Sequence, residues 1–241
     1  MLLDGLHLLS DALAAGVSVT AAAAPPEFWN SPIGAPLAAS LASAGAELYT
    51  AGRAVLEAAS PVSAPTGIIA IALRDPAGIE QALAGQPALV VCADRVQDPG
   101  NIGAIVRAAE AAGATGVMTT AGSADPFGWK ALRGSMGSAF RLPVAAGADL
   151  GAVCREARRR GVQIVATAPA GERAFGEADF SGPTLILLGG EGAGLPDKAQ
   201  ALADVRLRIP MRPPVESLNV AVAAGVILYE AYRQRHGGGR S

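Results

Sequence analysis

Two cysteines and two histidines in 241 residues leave little material for thiol or metal chemistry. Cys92 and Cys154 show no metal-ligand spacing, and Cys92 sits inside an apolar run, so both are expected as buried free thiols. His7 and His236 lie near the two ends, which argues against a histidine triad or a His-rich metal centre, and no metal is expected. Aromatic residues make up only 4% of the chain. The hydrophobic fraction of 51% contains more alanine than any other residue, so the mean hydropathy of +0.34 reflects small side chains. The apolar run 220–228, VAVAAGVIL, is well short of the roughly 18 residues needed to cross a bilayer. The opening MLLDGLHLLSDALAAG has no basic region of the kind that starts a secretion signal, and it carries Asp4 and Asp11. A soluble, cytoplasmic protein with no membrane partner is expected.

Basic side chains are scarce in the first third. Residues 1–84 hold two basic and seven acidic side chains, a net of −5, whereas residues 85–241 hold 17 and 14, a net of +3. Electrostatic attraction to nucleic acid is therefore expected from the second part. Its densest basic cluster is Arg155, Arg158, Arg159 and Arg160, which reads either as a solvated helix face or as a surface for RNA phosphates.

What is present is alternation. Residues 6–15, 36–44 and 53–59 read as helices, and 17–23, 47–50 and 67–73 as strands, which makes a small α/β domain. A Pro- and Gly-bearing stretch at 73–87 marks a boundary, dividing the chain into residues 1–84 and 85–241. Beyond it, strands are expected at 88–93, 116–119, 163–167, 184–188 and 205–208, and helices at 102–112, 128–133, 149–160, 197–202 and 217–234. The last helix is apolar nearly all round, so it needs cover on more than one side, and a homodimer is expected. Residues 237–241, GGGRS, are expected to be disordered.

Three segments concentrate the chemistry. Residues 98–113, DPGNIGAIVRAAEAAG, follow an apolar strand directly and give the order strand, glycine-bearing loop, helix, which places ligand sites at strand ends. Asn101 reads as the helix N-cap. Ile102, Ile105, Val106 and Ala109 form one core face, and Arg107 lies off it. Arg107 either pairs with Glu110 at i,i+3 or leans back toward the loop. Residues 185–196, LILLGGEGAGLP, hold four glycines around Glu191, where close backbone approach to a ligand is the physical use of glycine. In residues 208–228, RIPMRPPVESLNVAVAAGVIL, the prolines hold an irregular loop open before Ser217, read as a cap, with Asn219 in the first turn of the helix.

Together with residues 132–144, LRGSMGSAFRLPV, these ordered segments resemble the SpoU/TrmH family of the SPOUT methyltransferases over residues 88–234. The resemblance implies an open parallel α/β sheet with a C-terminal trefoil knot, and transfer of methyl from S-adenosylmethionine to a ribose 2′-hydroxyl of RNA by a homodimer. It places Asn101, Arg107, Glu191, Ser217 and Asn219 at the catalytic centre, and the cofactor against Thr167, Ala168, Gly189, Gly190, Gly194, Ile209, Met211 and Leu218. Residues 2–16 and 60–72 resemble the ends of the family's accessory RNA-binding domain, shortened at its start because family members carry residues ahead of Leu2. Such a domain favours ribosomal RNA over tRNA as substrate. A tRNA enzyme or a catalytically silent RNA-binding member are the alternatives. A dinucleotide oxidoreductase fits the alternation but lacks a G-x-G-x-x-G at the first helix, which has only Gly100 and Gly103.

Overall fold

The computed structural model describes residues 1–62, 67–192 and 194–237. The first part comprises β1 (Leu2–Asp4), α1 (Leu6–Ala14), β2 (Val19–Ala24), α2 (Pro26–Trp29), α3 (Gly34–Ser43), β3 (Glu47–Thr50), α4 (Arg53–Ala59) and β4 (Ile69–Ala72). Its sheet has the order β1-β4-β2-β3, with β4 antiparallel to both neighbours and β2 parallel to β3. Leu3, Leu9, Leu41 and Ile68 are fully buried at its centre. Strand β1 was not expected, because three residues are too few to display a period.

The second part comprises α5 (Ile79–Ala82), β5 (Leu89–Asp94), α6 (Pro99–Ala111), β6 (Gly116–Thr120), α7 (Trp129–Ser135), α8 (Ser138–Arg141), β7 (Val144–Ala148), α9 (Leu150–Arg159), β8 (Gln163–Thr167), β9 (Arg173–Ala174), a 3-10 turn (Phe175–Glu177), β10 (Thr184–Gly189), α10 (Asp197–Gln200), β11 (Val205–Arg208) and α11 (Val220–His236). The sheet runs β7-β6-β5-β10-β8-β11-β9, and each neighbouring pair is parallel.

Period-2 alternation in the two central strands feeds two cores. Leu89, Val91, Ala93, Ile186 and Leu188 face one core, shared with Ile102, Ile105 and Val106 of α6, Leu132 of α7, and Ile227 and Leu228 of α11. Val90, Cys92, Leu185 and Leu187 face the other, shared with Val153, Cys154 and Ala157 of α9. Both cysteines are free and buried, as expected. Burial pushes the Cys92 thiol far above its ordinary value, so it is inert as a nucleophile.

From β5 the chain builds outward to β6 and β7, then crosses to β8 and returns with β10 beside β5. The strand order therefore reverses between β5 and β10. Open parallel sheets bind ligands outside the carboxyl ends of the strands at such a point.

Two expected helix starts are corrected. Helix α6 begins at Pro99, capped by Asp98, whose Oδ1 accepts the Gly100 N–H at 2.7 Å. Proline at the first helical position suits that start, since its missing N–H has no helical partner there. Asn101 therefore lies inside the first turn and its side chain is released from capping. At α11 the cap is Asn219, not Ser217: Asn219 Oδ1 accepts the N–H groups of Ala221 at 2.9 Å and Val222 at 3.3 Å. Strands β7 and β9 were not anticipated: VAAGA lacks β-branched alternation and β9 has two residues. The expected disordered tail lies outside the described residues except for Gly237. No helix among the described residues is long and apolar enough to cross a membrane.

Candidate active site

The segments that follow β5 and β10 meet at the reversal point. Gly189, the last residue of β10, pairs in register with Asp94, the last of β5, so the next residues of each strand emerge side by side. Glu191 turns back toward the α6 loop: its Oε1 accepts from Asn101 Nδ2 at 2.6 Å and its Oε2 from the Gln97 N–H at 3.2 Å. Asn101 Oδ1 in turn accepts from Asn219 Nδ2 at 3.0 Å. One hydrogen-bonded chain, Glu191–Asn101–Asn219, thus joins all three segments and ends at the α11 cap. It fixes the amide of Asn101 unambiguously, because only one orientation donates to a carboxylate and accepts from a neighbouring amide. Burial alone would raise the Glu191 carboxyl. The Asn101 amide and the backbone N–H groups of Glu191, Gln97 and Asp98 outweigh it and hold the group below its ordinary value. Glu191 is therefore ionised at neutral pH.

Beside this chain lies a cavity of about 410 Å³ outside the ends of β8, β10 and β11. The expected cofactor residues Thr167, Ala168, Gly189, Gly190, Gly194, Ile209, Met211 and Leu218 all line it, together with Glu191, Ser217 and Asn219. Its walls are largely apolar, with Leu188, Leu207, Val220 and Ala223 completing them. The loop after β10 is folded tightly: a Cβ on Gly189 would come 2.1 Å from the Gly194 carbonyl carbon and the Leu195 nitrogen. Glycine at 189 is thus required by the close passage of the loop over its own strand. Ala168 N–H bonds to the Leu207 carbonyl at 2.8 Å, tying the two far strands together under the cavity floor.

Asn101 does not line this cavity but borders it through Glu191 and Asn219. Arg107 is exposed on α6, outside the cavity, and its guanidinium makes no hydrogen bond or ion pair among the described residues. The pairing with Glu110 does not form. Glu110 accepts instead from Arg141 Nε at 2.6 Å and Nη2 at 2.8 Å.

The basic cluster lies apart from the site and is largely engaged. Arg159 and Arg160 both bond to Glu156, and Arg158 donates to the Leu202 carbonyl at 2.6 Å. Arg155 is 4.0 Å from Asp149.

Sequence reasoning missed Gln97, whose backbone holds Glu191, and Asp98, the true cap. The Asp-Pro pair was the available signal for the latter. It also missed Arg95, a non-glycine residue at φ 55 at the end of β5. No side-chain signal marks a left-handed arginine.

The chain is 36% identical, over 98% of its own length and 84% of the other, to an uncharacterized tRNA/rRNA methyltransferase of Synechocystis sp.. It is 37% identical to a 23S rRNA (uridine(2479)-2′-O)-methyltransferase of Streptomyces viridochromogenes, over 76% of this chain and 66% of that enzyme. It spans about half the length of several mycobacterial relatives named as uncharacterized tRNA/rRNA methyltransferases. The crystal structure of the SpoU methyltransferase AviRb from S. viridochromogenes, in complex with AdoMet, superposes with a TM-score of 0.90 at 32% identity, covering 100% of this chain and 91% of that one. The SpoU rRNA methylase family matches residues 88–229, and the chain belongs to that family.

Proposed function

We propose that this chain transfers the methyl group of S-adenosylmethionine to a ribose 2′-hydroxyl of ribosomal RNA. The observation that carries the reading is the joining of Glu191, Asn101 and Asn219 into one polar chain at the rim of a mostly apolar cavity at the strand-order reversal. Such a cavity fits the cofactor: its volume lies in the range of small-molecule sites, roughly 300–1,000 Å³. Its apolar walls suit an adenine and a thioether-like chain, and the glycines at 189, 190 and 194 let backbone approach a ligand's polar edges closely. Thr167, Gly189, Ile209, Met211 and Leu218 would hold it. When bound, the cofactor supplies a methyl group already activated by its sulfonium, so no metal is needed to polarise it.

The protein must then bring the ribose hydroxyl in line and manage its proton. Arg107, without a hydrogen-bond or ion-pair partner among the described residues, is assigned to the hydroxyl and the adjoining phosphate. An arginine is almost never deprotonated, so its role is to stabilise the developing alkoxide rather than to act as base. Ionised Glu191 orients Asn101, and Asn219 and Ser217 complete the rim. Residues 1–84 act as an accessory lobe and residues 85–241 as the methyltransferase domain with its trefoil knot. The knot is supported by the convergence of segments 189–194 and 209–219 on one cavity, beside the seat of α11 on α6. Ribosomal RNA is favoured by the named activity of the Streptomyces relative, and an enzyme of ribosomal RNA would work in the cytoplasm.

Calorimetric titration with S-adenosylmethionine and its demethylated product tests the cofactor assignment. Binding of both is expected, and no heat from folded protein with either would end the reading.

A homodimer is part of the proposal. Val222 and Tyr229 of α11 are each 53% exposed, Tyr232 joins them, and Val215 and Leu218 extend the patch to the cavity rim. Light scattering at micromolar concentration should give twice the 24.0 kDa chain mass, and V222D combined with Y229E should give the monomer. A wild-type monomer would remove dimerisation from the account.

A further inference from the structure

We propose that Arg95 is a substrate-positioning residue that takes an RNA phosphate beside the target nucleotide; this rests on the RNA methyl-transfer reading above.

The first observation is conformational. Arg95 and Met136 are the non-glycine residues with left-handed backbone among the described residues, at φ 55 and φ 49. Met136 follows the last turn of α7, where a left-handed residue ends a helix in the ordinary way. Arg95 ends a strand, so no helix accounts for it. Glycine would adopt this conformation without strain. Strained backbone of this kind clusters at ligand sites.

The second observation is how firmly that backbone is held. The Arg95 N–H donates to Thr120 Oγ1 at 3.2 Å, and Thr120 Oγ1 donates to the buried Asp94 carboxylate at 2.7 Å. The Arg95 carbonyl lies so close to Gly190 that a Cβ there would approach it to 2.2 Å. The ends of β5, β6 and β10 therefore fix the position from which the side chain departs.

The third observation is the state of the side chain. Arg95 is exposed and its guanidinium has no hydrogen bond or ion pair among the described residues. Arg141, Arg159 and Arg233, by contrast, are held by carboxylates. The stem passes over the turn after β6, where a Cβ on Gly122 would come within 3.8 Å of Arg95 Cγ.

Position decides the ligand. The cavity occupies the β8, β10 and β11 ends, and the polar chain stands between β10 and the loop after β5. With the methyl donor on that side, the acceptor strand must approach across the β5 and β6 ends, where Arg95 stands. Arg95 and Arg107 then flank the Gln97–Asp98 turn and the first turn of α6 from before and after, two guanidinia without a partner among the described residues on one stretch of chain. A planar fork matches a phosphodiester's paired oxygens.

The test compares R95G, R95Q and R95K with wild type. The probe is unmodified 23S ribosomal RNA transcribed in vitro, with calorimetry of S-adenosylmethionine as control. R95G relieves the backbone strain and should melt above wild type, yet bind the transcript about tenfold more weakly, with a salt dependence shallower by about one counterion. R95Q should share the weaker binding and shallower slope, R95K should restore the slope and part of the affinity, and cofactor affinity should not move. Wild-type affinity and slope in R95G overturn the inference. So does a fall in melting temperature with RNA affinity unchanged, which gives the side chain a structural role. If the wild-type protein itself neither binds nor methylates RNA, the functional reading falls and the inference with it.

Discussion

Arg107→Ala is expected to abolish methyl transfer while leaving the fold and the cofactor site intact. The side chain is exposed, packs into no core and breaks no ion pair when removed, since Glu110 belongs to Arg141. A change at such a position typically moves stability by about 0.5 kcal/mol or less. Loss of a charged group that stabilises a developing alkoxide costs roughly a hundredfold to a thousandfold in rate. Single-turnover transfer with saturating RNA and cofactor separates that step from binding. Arg107→Lys should recover only part of the rate, because a point charge cannot hold phosphate and hydroxyl together as the planar fork does. If the alanine variant transfers methyl at the wild-type rate, Arg107 is a solvated surface residue.

The second large effect is expected at Asn101. Asn101→Asp presents a carboxylate oxygen to Glu191 where an amide nitrogen donates at 2.6 Å. Two carboxylates that close cannot both ionise readily, so the pair retains a proton and its upper titration rises. The wild-type sign runs the other way. Glu191 is held below its ordinary value, so its contribution to stability is fully present above that ordinary value and is lost as pH falls through the lowered one. Between pH 6 and 8 the wild-type rate should therefore show no dependence on Glu191. The variant should lose about a hundredfold in rate at neutral pH, as expected for a disordered set of aligned polar groups, and gain a new limb on which rate recovers as pH falls and the pair takes up a proton that replaces the lost donor. Relative to wild type its melting temperature should fall as pH rises through that raised titration, because the folded pair holds a proton that the unfolded chain releases. Asn101→Ala, which removes the donor without adding charge, should lose rate without the new limb. An Asn101→Asp enzyme with wild-type rate and pH profile would show that the polar chain merely ties loops together.

The sequence made the strands legible where apolar runs were bounded by glycine and proline, as at β5 and β10, and the helices where one face was apolar, as at α6. It made the three site segments legible because each carries residues that a turn alone does not need, Glu191 among the glycines above all. What it could not place was phase. In DPGN and in ESLN, two side chains each can cap a helix, and α11 is apolar nearly all round, so no periodic edge chooses between Ser217 and Asn219. The wrong choice hid the consequence that matters, since moving the α6 cap to Asp98 frees Asn101 to bridge two segments. Those bridges link residues 90 and 118 positions apart and exist only because β10 inserts beside β5. The basic cluster on α9 was legible as charge but not as engagement: Glu156 neutralises part of it, held down to a pKa of about 2 by hydrogen bonds from Arg159 and Arg160. Arg95 and Arg107, on either side of the start of α6, make no such pairs among the described residues.

The central claim is that this site methylates a ribose hydroxyl of ribosomal RNA. Ribose-methylation mapping of total RNA, from cells lacking the protein and from the same cells supplied with wild-type or Arg107→Ala protein, tests it most directly. The account predicts a 2′-O-methyl mark in ribosomal RNA that is absent without the protein, restored by wild type and not restored by Arg107→Ala. Identical methylation maps in all three samples, or a mark restored fully by the alanine variant, would contradict it.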